Sequence, residues 1–127
     1  MNPELQIQQA QSRIQRAEVM LSEAAQLDDI AARLMKVQRN WNALDRDTEL
    51  AAALAASRAV WYGIQAGLAD GKLALPLEVQ HNLLILSVYA DSKIGTCESA
   101  PSVDALGSLI ALTRTLAGSL KEWREAA

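Results

Sequence analysis

The chain has 127 residues, a formal net charge of −3, one cysteine, one histidine and no phenylalanine. That length suits one domain able to bury a core of its own, and without Phe the core falls to Leu, Ala, Val and Ile, a composition suited to closely packed helices. Acidic residues spread along the chain argue against a polyanion-binding protein. A single Cys excludes an intrachain disulfide and a multi-cysteine metal site.

In chain order, Asn2-Pro3 predicts a helix start, Asn capping free amides and Pro suiting the first turn. Ile14, Ala17, Leu21, Ala24 and Leu27 recur at steps of three and four, the period of one helical face. Asp28-Asp29 offers a break or a fresh N-terminus, after which Leu34, Val37 or Gln38, Trp41 and Leu44 resume the stripe. One long helix and two shorter ones are both compatible with this pattern. Asp47 or Thr48 can cap the next helix, whose seam is Leu50, Leu54, Ser57, Trp61, Ile64 and Leu68. Alanines at 51–53, 55 and 56 let a neighbour approach closely.

Gly71 after Asp70 is a helix stop, and Pro76 opens the following helix. Its run NLLILSVYA is apolar on nearly every side, which predicts the most buried element, fading through Lys93 to Gly95. After the loop CESAPS, Ser102 restarts a helix with the stripe Val103, Leu106, Leu109 or Ile110, Thr113, Leu116, Leu120 and Trp123. No segment alternates with period two. The expectation is an all-α, single-domain bundle of four or five helices over 1–127, with a buried helix around 77–94 and residues 3–27 able to protrude as an N-terminal helix. The opening MNPELQIQQAQSR lacks the basic-then-apolar pattern of a signal peptide. Leu50–Ala69 carries Arg58 near its middle among Ala, Ser, Gln and Gly, a poor membrane span. A soluble, cytoplasmic protein without membrane insertion is expected.

The stretch AVWYGIQAGLADGKLALPLEVQHN, residues 59–82, gathers Trp61, Tyr62 and His81 around a hinge and is the first place to look for chemistry. A general acid or base needs an orienting partner and a reacting group in reach; His81 has only Glu78 within helical contact, so a boundary histidine is favoured. Cys97 beside Glu98 has no cationic group in sequence to activate it, and an inert thiol is favoured. Arg33, Lys36 and Arg39 near Trp41 suggest a nucleic-acid strip, but Asp28, Asp29, Asp45 and Asp47 flank them, and a solvated face is favoured. With no phosphate loop, paired carboxylates, nucleophile elbow or metal spacing, the reading is no enzyme, no catalytic residue, no metal and no cofactor. Partner contact is assigned to Met20, Met35, Trp41 and Tyr62: the aromatics as interface anchors, the methionines as adaptable groove-liners, with ordinary core filling an equal reading of that pair.

ALAASRAVW, then LALPLEVQHNLLILSVYAD and SVDALGSLIALTRTLAGSL resemble the FlaF family of flagellar biosynthesis proteins. In that family an Ala/Leu-rich helix ends at a Trp, a Leu-Pro step opens a second apolar helix, and an Ile/Leu-rich helix closes the chain. Here Trp61, Leu75-Pro76 and Leu109 to Leu120 fall in that order, while Ser57 stands where the family has Asn and Val60 where it has Leu. The resemblance implies a small, helical, cytoplasmic and non-enzymatic protein that associates with flagellin and promotes its synthesis and export. The implied ligand is flagellin's amphipathic terminal segments, with another flagellar regulator as a further candidate partner. Two other readings stand beside it: a post-transcriptional regulator touching flagellin mRNA through Arg33, Lys36, Arg39 and Arg46, with nucleic acid the less expected partner, and a helical dimerisation or scaffold module, a homodimer among its forms.

Overall fold

A computed structural model describes residues 2–71 and 75–126 of the chain, all in helices or the short connections between them. Four helices follow one another: α1 (Pro3–Arg39), α2 (Arg46–Ala69), α3 (Leu77–Ser99) and α4 (Val103–Ala126). Short connections between long helices make sequential neighbours antiparallel. α1 packs on α2 and α4, and α3 packs on α2 and α4, so the helices form a ring with α1 and α3 diagonal.

Local chemistry sets the helix ends. Asn2 Oδ1 accepts from the Glu4 amide at 3.0 Å, and Pro3 occupies the first helical position. α1 then runs unbroken through Asp28-Asp29 for 37 residues, about 55 Å at 1.5 Å per residue. Asp28 does not restart a helix; its carboxylate takes Lys121 Nζ from α4 at 2.6 Å. Asn40 ends α1 by donating its side-chain amide to the Lys36 carbonyl at 3.0 Å. The expected cap at Asp47 or Thr48 does not form. Successive tight turns, Ala43 N on Asn40 O and Arg46 N on Ala43 O, lead straight into α2 from Asp45, and Asp47 instead pairs with Arg46 at 2.9 Å.

Gly71 closes α2 with φ of 73°, the left-handed region that glycine enters at no steric cost. Lys72, Leu73 and Ala74 of the hinge lie outside the described residues. Pro76 stands at the N-cap of α3, one residue before the helix proper, and α3 continues past Gly95 to Ser99. Ser102 Oγ caps α4 by accepting the Ala105 amide at 3.0 Å.

One core joins all four helices, including Met20, Ala24, Leu27 and Leu34 of α1, Leu50, Leu54, Trp61 and Ile64 of α2, Leu83, Ala90 and Ile94 of α3, and Leu106, Leu109, Leu116 and Leu120 of α4. The α2 seam is buried at every position read from the sequence. The early α1 stripe divides: Ala24 and Leu27 are fully buried, whereas Ile14 and Leu21 are exposed. The side chain of Ala17 lies outside the described residues. The inward face is instead Met20, Ala24, Leu27, Ala31 and Leu34.

The expectation of a buried helix around 77–94 is corrected. α3 buries only the stripe Leu83, Ser87, Ala90, Ile94 and Cys97, while Leu77, Leu84, Ile85, Val88 and Tyr89 face solvent. In a ring of four, each helix has two neighbours and one inward stripe, so a helix apolar all round keeps an uncovered outer side.

Trp61 is only 2% exposed, and its Nε1–H has no hydrogen-bond partner, nor has the Ser57 hydroxyl one turn earlier. Trp61→Ala is expected to cost about 3–5 kcal/mol, read from denaturant unfolding. Trp61→Phe is expected to cost far less, because it retains ring burial and removes the unpaired donor; equal losses would contradict this packing. Glu23 carries a third unpaired buried atom, Oε2, and burial raises its carboxyl above the ordinary carboxylate value. A raised native value means the folded state binds the proton more tightly, so this contribution is complete below the unfolded-state value and is lost as pH rises through the native one. Glu23→Gln should therefore raise the thermal midpoint at neutral pH and leave it unchanged below about pH 4.

Candidate functional site

The four residues assigned to partner contact occupy different environments. Met20 is 1% exposed, part of the core and closed to any surface contact in the folded bundle; it lies on the inward face of α1, with Ala24 and Leu27. Met35 and Trp41 are partly buried against that core. Trp41 lies in the α1–α2 turn, with the Arg46 guanidinium 4.4 Å from its ring centroid, a cation–π contact that occupies the aromatic face. Tyr62 is 54% exposed on α2, sixteen residues beyond Arg46 and thus about 24 Å along the helix. They do not assemble into one site.

The α1–α2 turn forms a groove of about 310 Å³ lined by Arg33, Lys36, Asn40, Asp45, Arg46 and Glu49 among others. It brings three of the basic residues together, but Asp45 and Glu49 share the wall, and Arg46 is engaged with Asp47 and Trp41. Balanced charge of this kind lacks the uncompensated positive field that phosphate backbones select.

On either side of the hinge, α2 closes at Gly71 and α3 starts after Pro76. His81 is exposed in the second turn of α3, and no side-chain hydrogen bond or ion pair engages it among the described residues. Trp61 packs mid-bundle rather than at the hinge itself, ten residues before Gly71. Cys97 is buried, and a cationic neighbour does exist, Lys93 one turn earlier on α3, but burial pushes the thiol upward more than Lys93 draws it down; this is the opposite of thiolate activation. Among the described residues no group of three or more His, Cys, Asp or Glu could hold a metal ion, and no helix is long and apolar enough to cross a membrane.

An ion cluster staples α2 to α3. Arg58 donates to Glu98 at 2.7 Å and to Asp91 at 3.4 Å. The hydrogen bond from Arg58 holds the Glu98 carboxyl below its ordinary value, and the Arg58 guanidinium is raised in turn, chiefly by Glu98. Two turns further along, Gln65 Nε2 donates to Ser87 Oγ at 2.9 Å. Tyr62 falls one turn from both Arg58 and Gln65, on the stripe of α2 whose ends bond to α3.

Among the described residues, the exposed apolar side chains gather mainly on two surfaces. The first is the opening of α1: residues 3–15 are exposed throughout, and Ile7, Ile14 and Leu21 recur seven apart along it with Ala10 between the first two. The second is the outer side of α2 and α3, with Tyr62, Leu77, Leu84, Ile85, Val88 and Tyr89. Reading the α1 apolar residues as one inward stripe conceals the first; the seven-residue spacing of Ile7, Ile14 and Leu21 is the signal that reveals it. Reading NLLILSVYA as enclosed conceals the second.

No curated protein and no solved structure matches the chain. The family model described as flagellar protein FlaF matches residues 6–120, a span that takes in most of α1, all of α2 and α3, and α4 through Leu120. The chain belongs to the FlaF family of flagellar proteins.

Proposed function

We propose that this flagellar protein binds flagellin in the cytoplasm and promotes its synthesis and export as a chaperone-like, non-enzymatic partner. The observation that carries the reading is the uncovered arm of α1. An isolated helix of about this length is marginal in water, yet this one displays Ile7, Ile14 and Leu21 on a repeating face with Ala10 thinning the gap. A face of that kind suits a second amphipathic helix laid alongside it. Flagellin's terminal segments, amphipathic and unassembled before export, have the matching chemistry. Ordering such a segment on the arm would shield its apolar side while limiting affinity, so the cargo remains releasable.

Co-purification with flagellin, followed by titration of the purified components, tests this. Stoichiometric binding is expected, and Ile7→Lys with Ile14→Lys should weaken it by at least roughly tenfold, since both positions would sit in the desolvated seam. These residues are exposed, so the bundle should keep its thermal midpoint. No binding by the wild-type chain, or binding indifferent to the double substitution, would overturn the reading.

A further inference from the structure

We propose that the outer side of α2 and α3 is a self-association surface, on which a second copy of this chain docks with its α3 antiparallel to the first about a two-fold axis near Ile85. This proposal stands apart from what the α1 arm binds.

The area is the first argument. Leu77 is 82% exposed and Val88 67%, with Tyr62, Leu84, Ile85 and Tyr89 all about half open to water. Together these six side chains present on the order of 700 Å² of accessible surface, above the ~300–600 Å² of the largest patch on a typical monomer and close to the ~800 Å² per partner of a standard interface. Leu77, His81, Leu84 and Val88 follow at steps of four, three and four, the spacing of a helix-pairing seam. Tyr62 extends the seam onto α2, whose neighbouring outward residues Ala55, Ala59, Gly63 and Ala66 are small and permit close approach.

Charge is the second argument, and it selects a second copy as the occupant. From Ala59 to Ala69 in α2 and from Val79 to Ala90 in α3 there is no Asp, Glu, Lys or Arg, so like surfaces can meet without burying a formal charge. Beside the seam runs a second stripe, Glu78, Asn82, Ile85, Tyr89 and Lys93, with an acid at one end and a base at the other. In an antiparallel two-fold pair, a flanking stripe faces itself reversed. Centred near Ile85, that reversal sets Glu78 opposite Lys93 of the second copy, and Asn82 opposite Tyr89. Neither Glu78 nor Lys93 makes an ion pair within the chain among the described residues. In a parallel two-fold pair this flanking stripe would instead face the opposite flank of the seam, so Glu78 and Lys93 would not meet.

Sedimentation velocity on the full chain tests the proposal. The wild-type protein is expected to dimerise at micromolar concentration. Val88→Glu should raise the dissociation constant by roughly a hundredfold or more, because it places like charges in the apolar seam. Glu78→Lys should raise it roughly tenfold, and Glu78→Lys combined with Lys93→Glu should return it to near the wild-type value, a rescue that only the antiparallel register gives. Ile14→Lys, on the α1 arm, should leave the equilibrium unchanged, and circular dichroism should find all variants folded. A wild-type chain that stays monomeric at roughly 100 µM would overturn the proposal, as would a dimer untouched by Val88→Glu or one lost with Ile14→Lys. Failure of the charge swap to rescue would overturn the antiparallel arrangement. A monomer whose flagellin binding falls with Val88→Glu would give the surface to that partner instead.

Discussion

The antiparallel packing of α1 against α4 is the contact on which the other helices depend. Gln38 Nε2 donates to the Val103 carbonyl at 3.1 Å near one end, and Lys121 holds Asp28 at 2.6 Å toward the other. Along this pair, Ala24, Leu27, Ala31 and Leu34 of α1 join Leu106, Leu109, Leu116 and Leu120 of α4 in the core, all nearly or fully buried. Burial of each large aliphatic side chain stabilises by about 1.5–3 kcal/mol, so this pair supplies much of the driving force. α2 and α3 complete the ring by closing Trp61, Ile64, Leu83 and Ile94 onto it. The two helices are unequal, with 37 residues in α1 and 24 in α4. Paired antiparallel from Val103 onward, α4 lies along the later part of α1, and residues 3–15 form the exposed arm.

The same geometry leaves α3 open on its outer side. A helix placed diagonally to α1 has no fifth helix behind it, and its continuous apolar run therefore divides into an inward stripe and a solvent-facing one. The arm and the outer side of α2 and α3 have different characters. The arm is one narrow helix with a seven-residue repeat, suited to pairing with a single helix. The outer face is broad, with charges only at its margins, suited to an extended interface.

Much of the fold was legible because helix chemistry is local. Asn2-Pro3, Gly71 and Ser102 mark three boundaries through caps and a left-handed turn, and the four-and-three spacing from Leu50 to Leu68 places the whole buried face of α2. What escaped depends on how many neighbours each face acquires. NLLILSVYA reads the same whether it is enclosed or half uncovered, and Met20 reads as a groove-liner until the bundle closes over it. Asp47 looks like a cap in sequence, but the turn before it decides that Arg46 takes its carboxylate. The candidate surfaces were less legible than the fold for the same reason: Tyr62 alone among the four assigned residues stands well exposed, and its neighbours across the α2–α3 seam come from a segment 22 to 27 positions away.

Hydrogen exchange on the purified chain, alone and with flagellin, tests most directly whether the packed bundle and the arm divide stability from binding. Without flagellin, amides of residues 24–37 should exchange far more slowly than those of residues 4–15, because only the former are held by tertiary packing. Flagellin should slow exchange across the arm and leave the core of α1 as it was. Arm amides unchanged by saturating flagellin would contradict the assignment of that helix to the partner.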